Sequence, residues 1–274
     1  MNGDNKQGYF FIAIGKQYID ECVALAKTIR KCGDNRPISL LIDPKDEYYA
    51  KSKEIFHKYV YFQPSGEIWN ECKTGFEKFC LYPRLHLNDY LIYDETIIVD
   101  SDVLCQFSTN KLWQYLSGQE KCIVMLGRKV DHNWHWGHID NVIKRFGRHV
   151  SHVHGGFFYL RKNSEYLGKF FSMAKFFFWS YDDFDCRRAF RGGKVDEILF
   201  ALTHSFFNMM PLEFDEFPAM TFNIDATANL PTKLQTEGGQ NIELIEPAPF
   251  IHFFDKLGGR NHSAALMKIL NYGE

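Results

Sequence analysis

The sequence predicts an α/β protein built around a mostly parallel sheet. Short apolar runs alternate with amphipathic helical segments over the first hundred residues, and one of these runs ends directly in Asp100-Ser101-Asp102. Alternating strands and helices are typical of right-handed parallel sheets, whose ligands bind beyond the carboxyl ends of the strands. We therefore expect the acidic pair to lie at a ligand-binding edge of the sheet.

The first half of the chain supplies strands and helices in regular order. Residues 8–15 predict a strand closed by glycines. Residues 17–33 predict a helix, because apolar side chains recur there at helical spacing and Gly33 is placed to end it. The next predicted elements are a strand at 38–43, a helix at 45–59, a helix at 82–93 with Pro83 near its first turn, and a strand at 96–99.

The second half of the chain is less regular. Its predicted elements are strands at 121–126, 155–160 and 249–254 and helices near 163–178 and 194–206. No repeat, low-complexity linker or clear boundary interrupts the sequence. We therefore expect a single domain over 1–274.

Composition excludes several classes of protein. A chain of 274 residues with 45% hydrophobic content suits one large globular domain, and its net charge of -2 argues against a nucleic-acid phosphate binder. The seven cysteines are scattered and contain no CxxC pair, which indicates free thiols in a reducing compartment. No apolar run approaches ~18 residues and the N-terminus lacks an apolar signal core. We therefore expect no transmembrane segment and a cytoplasmic location.

Asp100 and Asp102 are candidate ligands of a hard divalent cation. Side chains two residues apart on an extended chain point the same way, so both carboxylates can face one ion. Ionised oxygens suit Mg²⁺ and Mn²⁺. A buried, unpaired charge is costly, so the pair needs a cation, hydrogen-bond donors or exposure to water. Taken alone, the pattern fits a solvated acidic turn equally well.

An ordered series of segments surrounds the acidic pair. The chain opens with "FIAIGKQYIDECVALAKTI", reaches the pair through "LYPRLHLNDYLIYDETIIVDSD", and continues with "HGGFFYLRKN", "KVDEILFAL" and "IHFFDK". From about residue 9 to about residue 256, this series resembles the retaining GT-A glycosyltransferases of the glycogenin and bacterial galactosyltransferase family (family 8-like). The resemblance implies the GT-A fold, in which a Rossmann-like, mostly parallel nucleotide-binding half at about 8–105 is followed by a half for donor sugar and acceptor at about 106–274.

The resemblance also implies a metal site formed by Asp100, Asp102 and His252. A shell that mixes oxygen and imidazole ligands favours Mn²⁺ over Mg²⁺, because Mg²⁺ strongly prefers all-oxygen octahedra. The cation would neutralise charge on the departing nucleoside diphosphate. Lys256 and Arg84 match positive residues that reach the diphosphate or the acidic pair. The alternative for Arg84 is a salt bridge on a helix face.

A donor-sugar site is implied as well. Asp196 matches an aspartate that hydrogen-bonds sugar hydroxyls. Glu197 stands where the family usually has glutamine; it is a candidate catalytic carboxylate that supports an oxocarbenium ion or acts as a nucleophile, or else a surface helix residue. His154-Gly155-Gly156 replaces the usual Asn-Ala-Gly. The two glycines still let the backbone approach a sugar closely, and the altered first residue leaves the identity of the sugar open.

Ile14, Tyr18 and Ser101 are assigned to the nucleotide site by the same resemblance. Tyr18 can stack on a base, although a tyrosine in the first helix can equally belong to the core. The expected activity is transfer of a hexose from a UDP-sugar to an acceptor hydroxyl with retention. The acceptor, whether glycan, lipid-linked or protein, is not specified by the sequence. An inverting enzyme would instead need an acceptor-side base, for which Asp225 or Asp255 is available.

Three other functions fit parts of the sequence. "IIVDSDVL" also matches the first motif of haloacid-dehalogenase-like phosphatases, with Asp100 as nucleophile and Asp102 as general acid, although that motif normally opens its domain. A nucleotidyltransferase would need a Gly-rich loop after the first strand, where "AIGKQYID" has one glycine. The non-enzymatic alternative is an inactive glycan-binding relative, which has no physical need to keep its metal ligands and Lys256.

A segment rich in histidine and tryptophan has several interpretations. His132, His135 and His138 are three residues apart, which suits a transition-metal site on one helix face. Trp134 and Trp136 lie between them and suit a stacking platform for an acceptor sugar. The third interpretation is a plain aromatic loop.

The phenylalanine-rich run at 169–188 predicts a helix buried against the sheet. Apolar side chains would cover most of the circumference of this helix. A membrane-surface anchor is the alternative, but the run lacks the basic face that such an anchor needs.

Overall fold

The computed structural model describes residues 6–130, 134, 136–147, 149–162, 164–188, 192–213, 216–223, 233–235, 241–243 and 248–253. The strands formed by these residues are β1 (Gln7–Ala13), β2 (Ile38–Ile42), β3 (Lys58–Tyr61), β4 (Glu95–Val99), β5 (Val103–Cys105), β6 (Ile123–Val130), β7 (Val150–Arg161), β8 (Met220–Asn223), β9 (Lys233–Gln235), β10 (Asn241–Glu243) and β11 (Phe250–Phe253). The helices are α1 (Lys16–Lys31), α2 (Glu47–Lys51), α3 (Gly66–Glu71), α4 (Tyr82–Leu85), α5 (Leu87–Tyr90), α6 (Asn110–Gly118), α7 (Ile139–Phe146), α8 (Glu165–Trp179) and α9 (Asp196–Phe207).

Six of these strands form one mostly parallel sheet in the order β3-β2-β1-β4-β7-β6. β1 and β2 run parallel, with Tyr9 opposite Ile38 and Ala13 opposite Ile42. β6 and β7 are antiparallel, and their register shifts near Gly127. The remaining strands form a three-stranded sheet, β5-β11-β8, and a two-stranded sheet, β10-β9. The predicted α/β class with a mostly parallel sheet is confirmed.

The helix predicted at 45–59 is wrong over most of its length. The chain makes a 3-10 turn at Pro44–Asp46, stays helical only through α2, and then enters β3. The helix ends at Lys51, with Ser52 as its C-cap, and the left-handed φ of +52° at Glu54 is incompatible with a helix that continues through this residue. Ile55 and Phe56 extend the apolar spacing past this point, so the pattern alone did not show the break.

The helix predicted at 82–93 is interrupted. α4 and α5 are separate short helices, and His86 between them has a non-helical φ of -115°. Its Nδ1 lies 2.9 Å from the carbonyl oxygen of Tyr82. A π-helical turn at Glu77–Leu81, which the sequence did not predict, leads into α4. Pro83 lies in the first turn of α4, as predicted.

The chain divides into two compact units. Unit 1 consists of residues up to Gly8, Tyr61–Ile98 and Glu120–Glu213. Unit 2 consists of Tyr9–Val60, Val99–Gln119 and the described residues from 216 onward.

In unit 1, phenylalanines of α8 and α9 form much of the core with β7. The rings of Phe170 and Phe200 stack with centroids 6.0 Å apart, and Phe158 of β7 meets Phe200 edge-on at 5.2 Å. Most phenylalanines of α8 are fully buried, which confirms their predicted burial, but α8 packs mainly against α9, which covers β7, and not directly against the sheet as predicted. Phe176 is the exposed phenylalanine of α8, at 58%, and Trp179 at the end of the helix is 49% exposed.

In unit 2, a buried polar network surrounds the hydroxyl of Tyr9 on β1. This hydroxyl donates to Asp34 at 2.7 Å and accepts from Nε1 of Trp113 at 2.8 Å. Burial alone would raise the pKa of Asp34, but hydrogen bonds from Thr109, Tyr9 and the backbone of Arg36 outweigh it and lower that pKa. The network therefore fastens β1 to the segment after α1 and to α6.

His204 on α9 is a destabilising feature of unit 1. The side chain is fully buried beside Phe170, and neither ring nitrogen has a hydrogen-bond partner among the described residues. Burial, followed by the charges of Lys121 and His149, lowers the pKa of His204 to about 3. An imidazole whose polar atoms stay unpaired in an apolar core costs folding free energy even when it is neutral.

We expect the free energy of unfolding to fall as the pH drops below about 6.5. The unfolded chain then protonates His204, whereas the folded chain does so only near pH 3. This one group contributes a slope of up to about 1.4 kcal/mol per pH unit within that window. His204→Leu should remove the slope and raise stability, as measured by urea unfolding at pH 5 and pH 7.5. His57→Leu makes the same change at an exposed position; an equal effect of both substitutions would contradict the assignment.

Candidate functional site

The acidic turn, Asp100-Ser101-Asp102, belongs to unit 2 and directly follows β4. β4 is buried except at its first residue, and Asp100-Ser101-Asp102 follow its last residue directly. The backbone N–H of Val103 donates to the carbonyl oxygen of Asp100 at 3.3 Å, so the three residues form a turn that leads into β5. Both carboxylates are half-buried. The expected position beyond the carboxyl end of a buried strand is therefore confirmed.

His252 reaches the turn through strand pairing. β11 pairs antiparallel with β5, which places His252 opposite Val103, and β11 also pairs in parallel with β8. The imidazole is 4% exposed, and its Nε2 lies 2.9 Å from Oδ1 of Asp102. One potential ligand atom from each of Asp100, Asp102 and His252 lies within 4.8 Å of the others.

These three side chains fit a divalent cation. Two carboxylates offer hard oxygen ligands and the imidazole offers one nitrogen, a donor set that suits Mn²⁺ better than Mg²⁺. Within the part of the chain that the structure describes, no other cluster of histidine, cysteine, aspartate and glutamate meets the same spacing. The ligands come from a turn and from a strand far along the chain, so the fold itself assembles the group.

A second cluster of predicted residues lies within unit 1. Nη1 of Arg84, from α4, donates to Oδ2 of Asp196, the first residue of α9. Asp196 is 2% exposed. Its carboxylate and that of Glu197 both lie in the first turn of α9, where the helix dipole favours negative charge. The partner of Arg84 is therefore a buried acid on another helix rather than a residue on its own helix face.

Gly155 on β7 contacts both acids of this cluster. Its backbone N–H donates to Oε1 of Glu197 at 3.1 Å, and the N–H of Gly156 donates to Nδ1 of His154 at 3.1 Å. A Cβ atom on Gly155 would lie 2.7 Å from Oδ2 of Asp196. A side chain at residue 155 would therefore displace the carboxylate of Asp196, and Glu197 is held by a backbone hydrogen bond, unlike a free surface residue.

Two residues predicted for the nucleotide site lie where β1 leads into α1. Ile14 follows β1, and Tyr18 in the first turn of α1 is 45% exposed, so Tyr18 is not a core residue. Lys256, with His132 and His135, lies outside the described residues, as do Asp225 and Asp255.

The tryptophans of the aromatic segment differ in exposure. Trp134 is only 4% exposed, which favours packing over an open stacking platform for this ring, and Trp136 is half-buried. His138 is exposed, with Nε2 3.7 Å from a carboxylate oxygen of Asp185. Residues 136–138 also lie beside 185–187 through a bridge between Gly137 and Cys186.

Sequence reasoning missed Glu21, a residue of α1 that contacts the acidic turn. Its side chain is 9% exposed, and its Oε2 accepts a hydrogen bond from Oγ of Ser101 at 2.5 Å. The available signal was a carboxylate within the apolar face of an amphipathic helix, four residues before Leu25 and seven before Thr28.

Solved structures match this chain, whereas no protein-family model and no curated protein sequence does. The galactosyltransferase LgtC, crystallised with donor and acceptor sugar analogues, matches with a TM-score of 0.58 and 10% identity over 95% of each chain. The chain has the GT-A glycosyltransferase fold.

Two further GT-A structures match with similar scores. Mouse xyloside xylosyltransferase 1 matches with a TM-score of 0.53 and 8% identity, over 79% of this chain and 87% of its own. WbbM, a bifunctional glycosyltransferase, matches with a TM-score of 0.56 and 10% identity, over 99% of this chain and 52% of its own. At these identities the likeness establishes the fold.

The GT-A fold does not support the phosphatase alternative, in which Asp100 would be the nucleophile. In this chain the acidic motif follows the fourth strand, whereas the phosphatase motif normally opens its domain. No helix formed by the described residues combines the length and apolar character that crossing a membrane requires.

We expect Gly155→Ala to destabilise the protein by about 1–3 kcal/mol, because the new methyl group must displace the carboxylate of Asp196 or its partner Arg84. Gly168→Ala is the matched control, since nothing lies within 4 Å of the added Cβ atom on α8 and alanine favours a helix. Thermal and urea unfolding of both variants measures the difference. A neutral Gly155→Ala would contradict the close approach.

Proposed function

We propose that this protein is a metal-dependent glycosyltransferase that moves a hexose from a UDP-sugar to an acceptor hydroxyl with retention of configuration. The observation that carries the proposal is the group Asp100, Asp102 and His252 at the end of a buried strand in a GT-A fold. GT-A neighbours include a galactosyltransferase crystallised with donor and acceptor sugar analogues.

Asp100, Asp102 and His252 would hold Mn²⁺, or Mg²⁺ as the alternative. When bound, such a cation supplies positive charge that neutralises the departing nucleoside diphosphate. The chain's own contribution is to keep three ligand atoms within 4.8 Å of one another at a half-buried site, where water screens charge less than in bulk solvent. Lys256 would add a second positive charge toward the diphosphate.

We assign the cluster around Gly155 to the donor sugar. Arg84 orients the carboxylate of Asp196, so that its remaining lone pairs can accept hydrogen bonds from sugar hydroxyls. His154, Gly155 and Gly156 bring backbone close to the sugar. This cluster is proposed as the donor-sugar site on the strength of the residues it joins.

Glu197 is the proposed catalytic carboxylate. The N–H of Gly155 orients the Glu197 carboxylate through Oε1, and the proposed role of this carboxylate is to face a developing oxocarbenium ion or to attack the anomeric carbon. A carboxylate fixed by a backbone donor is oriented before the reaction begins, and this lowers the cost of reorganisation in the transition state.

For the nucleotide, we propose that Tyr18 stacks on uracil, with Ile14 and Ser101 beside it. Tyr18 is 45% exposed in the first turn of α1, so its ring is accessible to a base. All seven cysteines are free thiols, which fits a reducing compartment, and we place the reaction in the cytoplasm. The acceptor is a glycan, a lipid-linked sugar or a protein.

We expect UDP to raise the unfolding free energy only when Mn²⁺ is present. A ligand that binds the native state alone adds about 2.7 kcal/mol at 100 times its dissociation constant. Thermal-shift and calorimetric titrations with UDP, GDP, CDP and dTDP, each with and without Mn²⁺, measure the effect. Asp102→Asn should abolish the Mn²⁺-dependent part, whereas Asp140→Asn, which neutralises an exposed acid of α7, should leave it intact. The proposal of a metal-dependent nucleotide site would be wrong if none of the four nucleoside diphosphates stabilised the protein in the presence of Mn²⁺.

We also expect Glu197→Gln to lower the rate of UDP-hexose hydrolysis by about 100-fold or more, because the oriented negative charge is lost while the shape is kept. Mn²⁺ titrations should be unchanged, since Glu197 is not among the proposed ligands. Glu165→Gln, at an exposed acid of α8 paired with Lys169, is the control. Full activity of Glu197→Gln would reduce Glu197 to a structural partner of Gly155.

A further inference from the structure

One face of α1 makes hydrogen bonds to the segment 101–105, which contains part of the acidic turn. Oε2 of Glu21 accepts from the hydroxyl of Ser101 at 2.5 Å. Oγ1 of Thr28 accepts from the backbone N–H of Cys105 at 3.0 Å, and Sγ of Cys32 lies 3.7 Å from the carbonyl oxygen of Cys105. Residues 21, 28 and 32 are seven and four apart, which places them on one stripe of the helix. The stripe therefore contacts the segment 101–105 at both of its ends.

Glu21 is a nearly buried carboxylate with donors on both oxygens. Nε2 of Gln17, one turn earlier on α1, donates to Oε1 at 3.2 Å, and Ser101 donates to Oε2. A buried charge is tolerated only when hydrogen bonds compensate for the lost water. Gln17, Glu21 and Ser101 thus form a chain from the helix surface to the centre of the acidic turn.

The thiol of Cys22, the next residue of α1, lies close enough to three carboxylates to feel their charge. Its thiol is fully buried, and its pKa is raised by burial first and then by the charges of Glu21, Asp100 and Asp102. Glu21 therefore lies in the same electrostatic environment as the two acids of the turn. The hydroxyl that donates to Glu21 nevertheless belongs to Ser101, the residue between those two acids.

We infer that Glu21 is a positioning residue that acts through Ser101 to pre-orient Asp100 and Asp102 for a divalent cation. Fixing the side chain of Ser101 restricts the backbone on both sides of it, and each flanking residue carries one proposed ligand. This inference rests on the metal site of the proposed function. Hydrogen-bond partners that orient metal ligands commonly change metal affinity by about 10- to 100-fold.

The test is Mn²⁺ binding by the full-length chain, measured by calorimetry and by the Mn²⁺ electron paramagnetic resonance spectrum. Glu21→Ala should weaken Mn²⁺ binding by about 10-fold or more and broaden the spectrum. Ser101→Ala should cause a similar loss, and the double variant should lose no more than either single variant, because both substitutions break the same hydrogen bond. Glu21→Gln keeps an oxygen acceptor for Ser101 and should recover most of the affinity.

Asp20→Asn is the matched control. It removes the same charge one residue earlier on α1, but Asp20 is exposed and its carboxylate contacts Tyr49 and Lys53. We expect its Mn²⁺ affinity and spectrum to equal those of the wild type. An equal loss in Asp20→Asn and Glu21→Ala would overturn the inference in favour of a general charge effect.

The remaining outcomes separate this inference from the proposed function. Wild-type Mn²⁺ affinity and spectrum in Glu21→Ala, with only a lower melting temperature, would reduce Glu21 to a structural role while leaving the metal site intact. Additive losses in the double variant would overturn the path through Ser101. If the wild-type chain bound no Mn²⁺, both the metal site and the inference would fall. If Glu21→Ala does not fold, Ser101→Ala and Glu21→Gln still test the inference. Equal losses of Mn²⁺ affinity in these two variants would contradict positioning by the hydrogen bond.

Discussion

The antiparallel pairing of β5 with β11 is the constraint on which the candidate metal site depends. It brings His252 within 2.9 Å of Asp102 although 150 residues separate them along the chain. Side chains alternate across a strand, so a slip of one residue in this pairing would turn the imidazole to the opposite face. Strand β8 supports β11 on its other edge. The register of a three-stranded sheet thus determines whether the acidic turn has a third ligand.

Much of this arrangement could be predicted from the sequence because each part depends on local chemistry. Apolar runs with helical spacing between them indicated the sheet, and two acids at the end of one run indicated a ligand-binding edge. The second cluster was predicted from a resemblance, and the structure joins Arg84, Gly155, Asp196 and Glu197 within a few ångströms. Their proximity follows from tertiary packing, which no local pattern contains.

The parts that sequence reasoning missed depend on conformation at single residues or on long-range contacts. The left-handed Glu54 interrupts the helix predicted at 45–59, and the non-helical His86 separates α4 from α5, although the apolar spacing continues past both. Glu21 escaped notice because a carboxylate on a helix is ordinarily a solvated residue, and only the packed structure shows its hydrogen bond to Ser101. Helix propensity and apolar periodicity are properties of a whole segment, so they do not show the conformation of a single residue. That conformation depends on contacts with residues far along the chain.

Because the proposed ligands lie far apart along the chain, binding of the cation would also stabilise the fold. A cation held by the turn at 100–102 and by His252 would close a loop of about 150 residues, and such closures remove the most conformational freedom from the unfolded chain. The ion would then act as a reversible cross-link between distant parts of one polypeptide. Substitutions anywhere in β11 would alter catalysis and thermal resistance together, and a chelator would loosen the late strand while leaving the core of unit 1 packed.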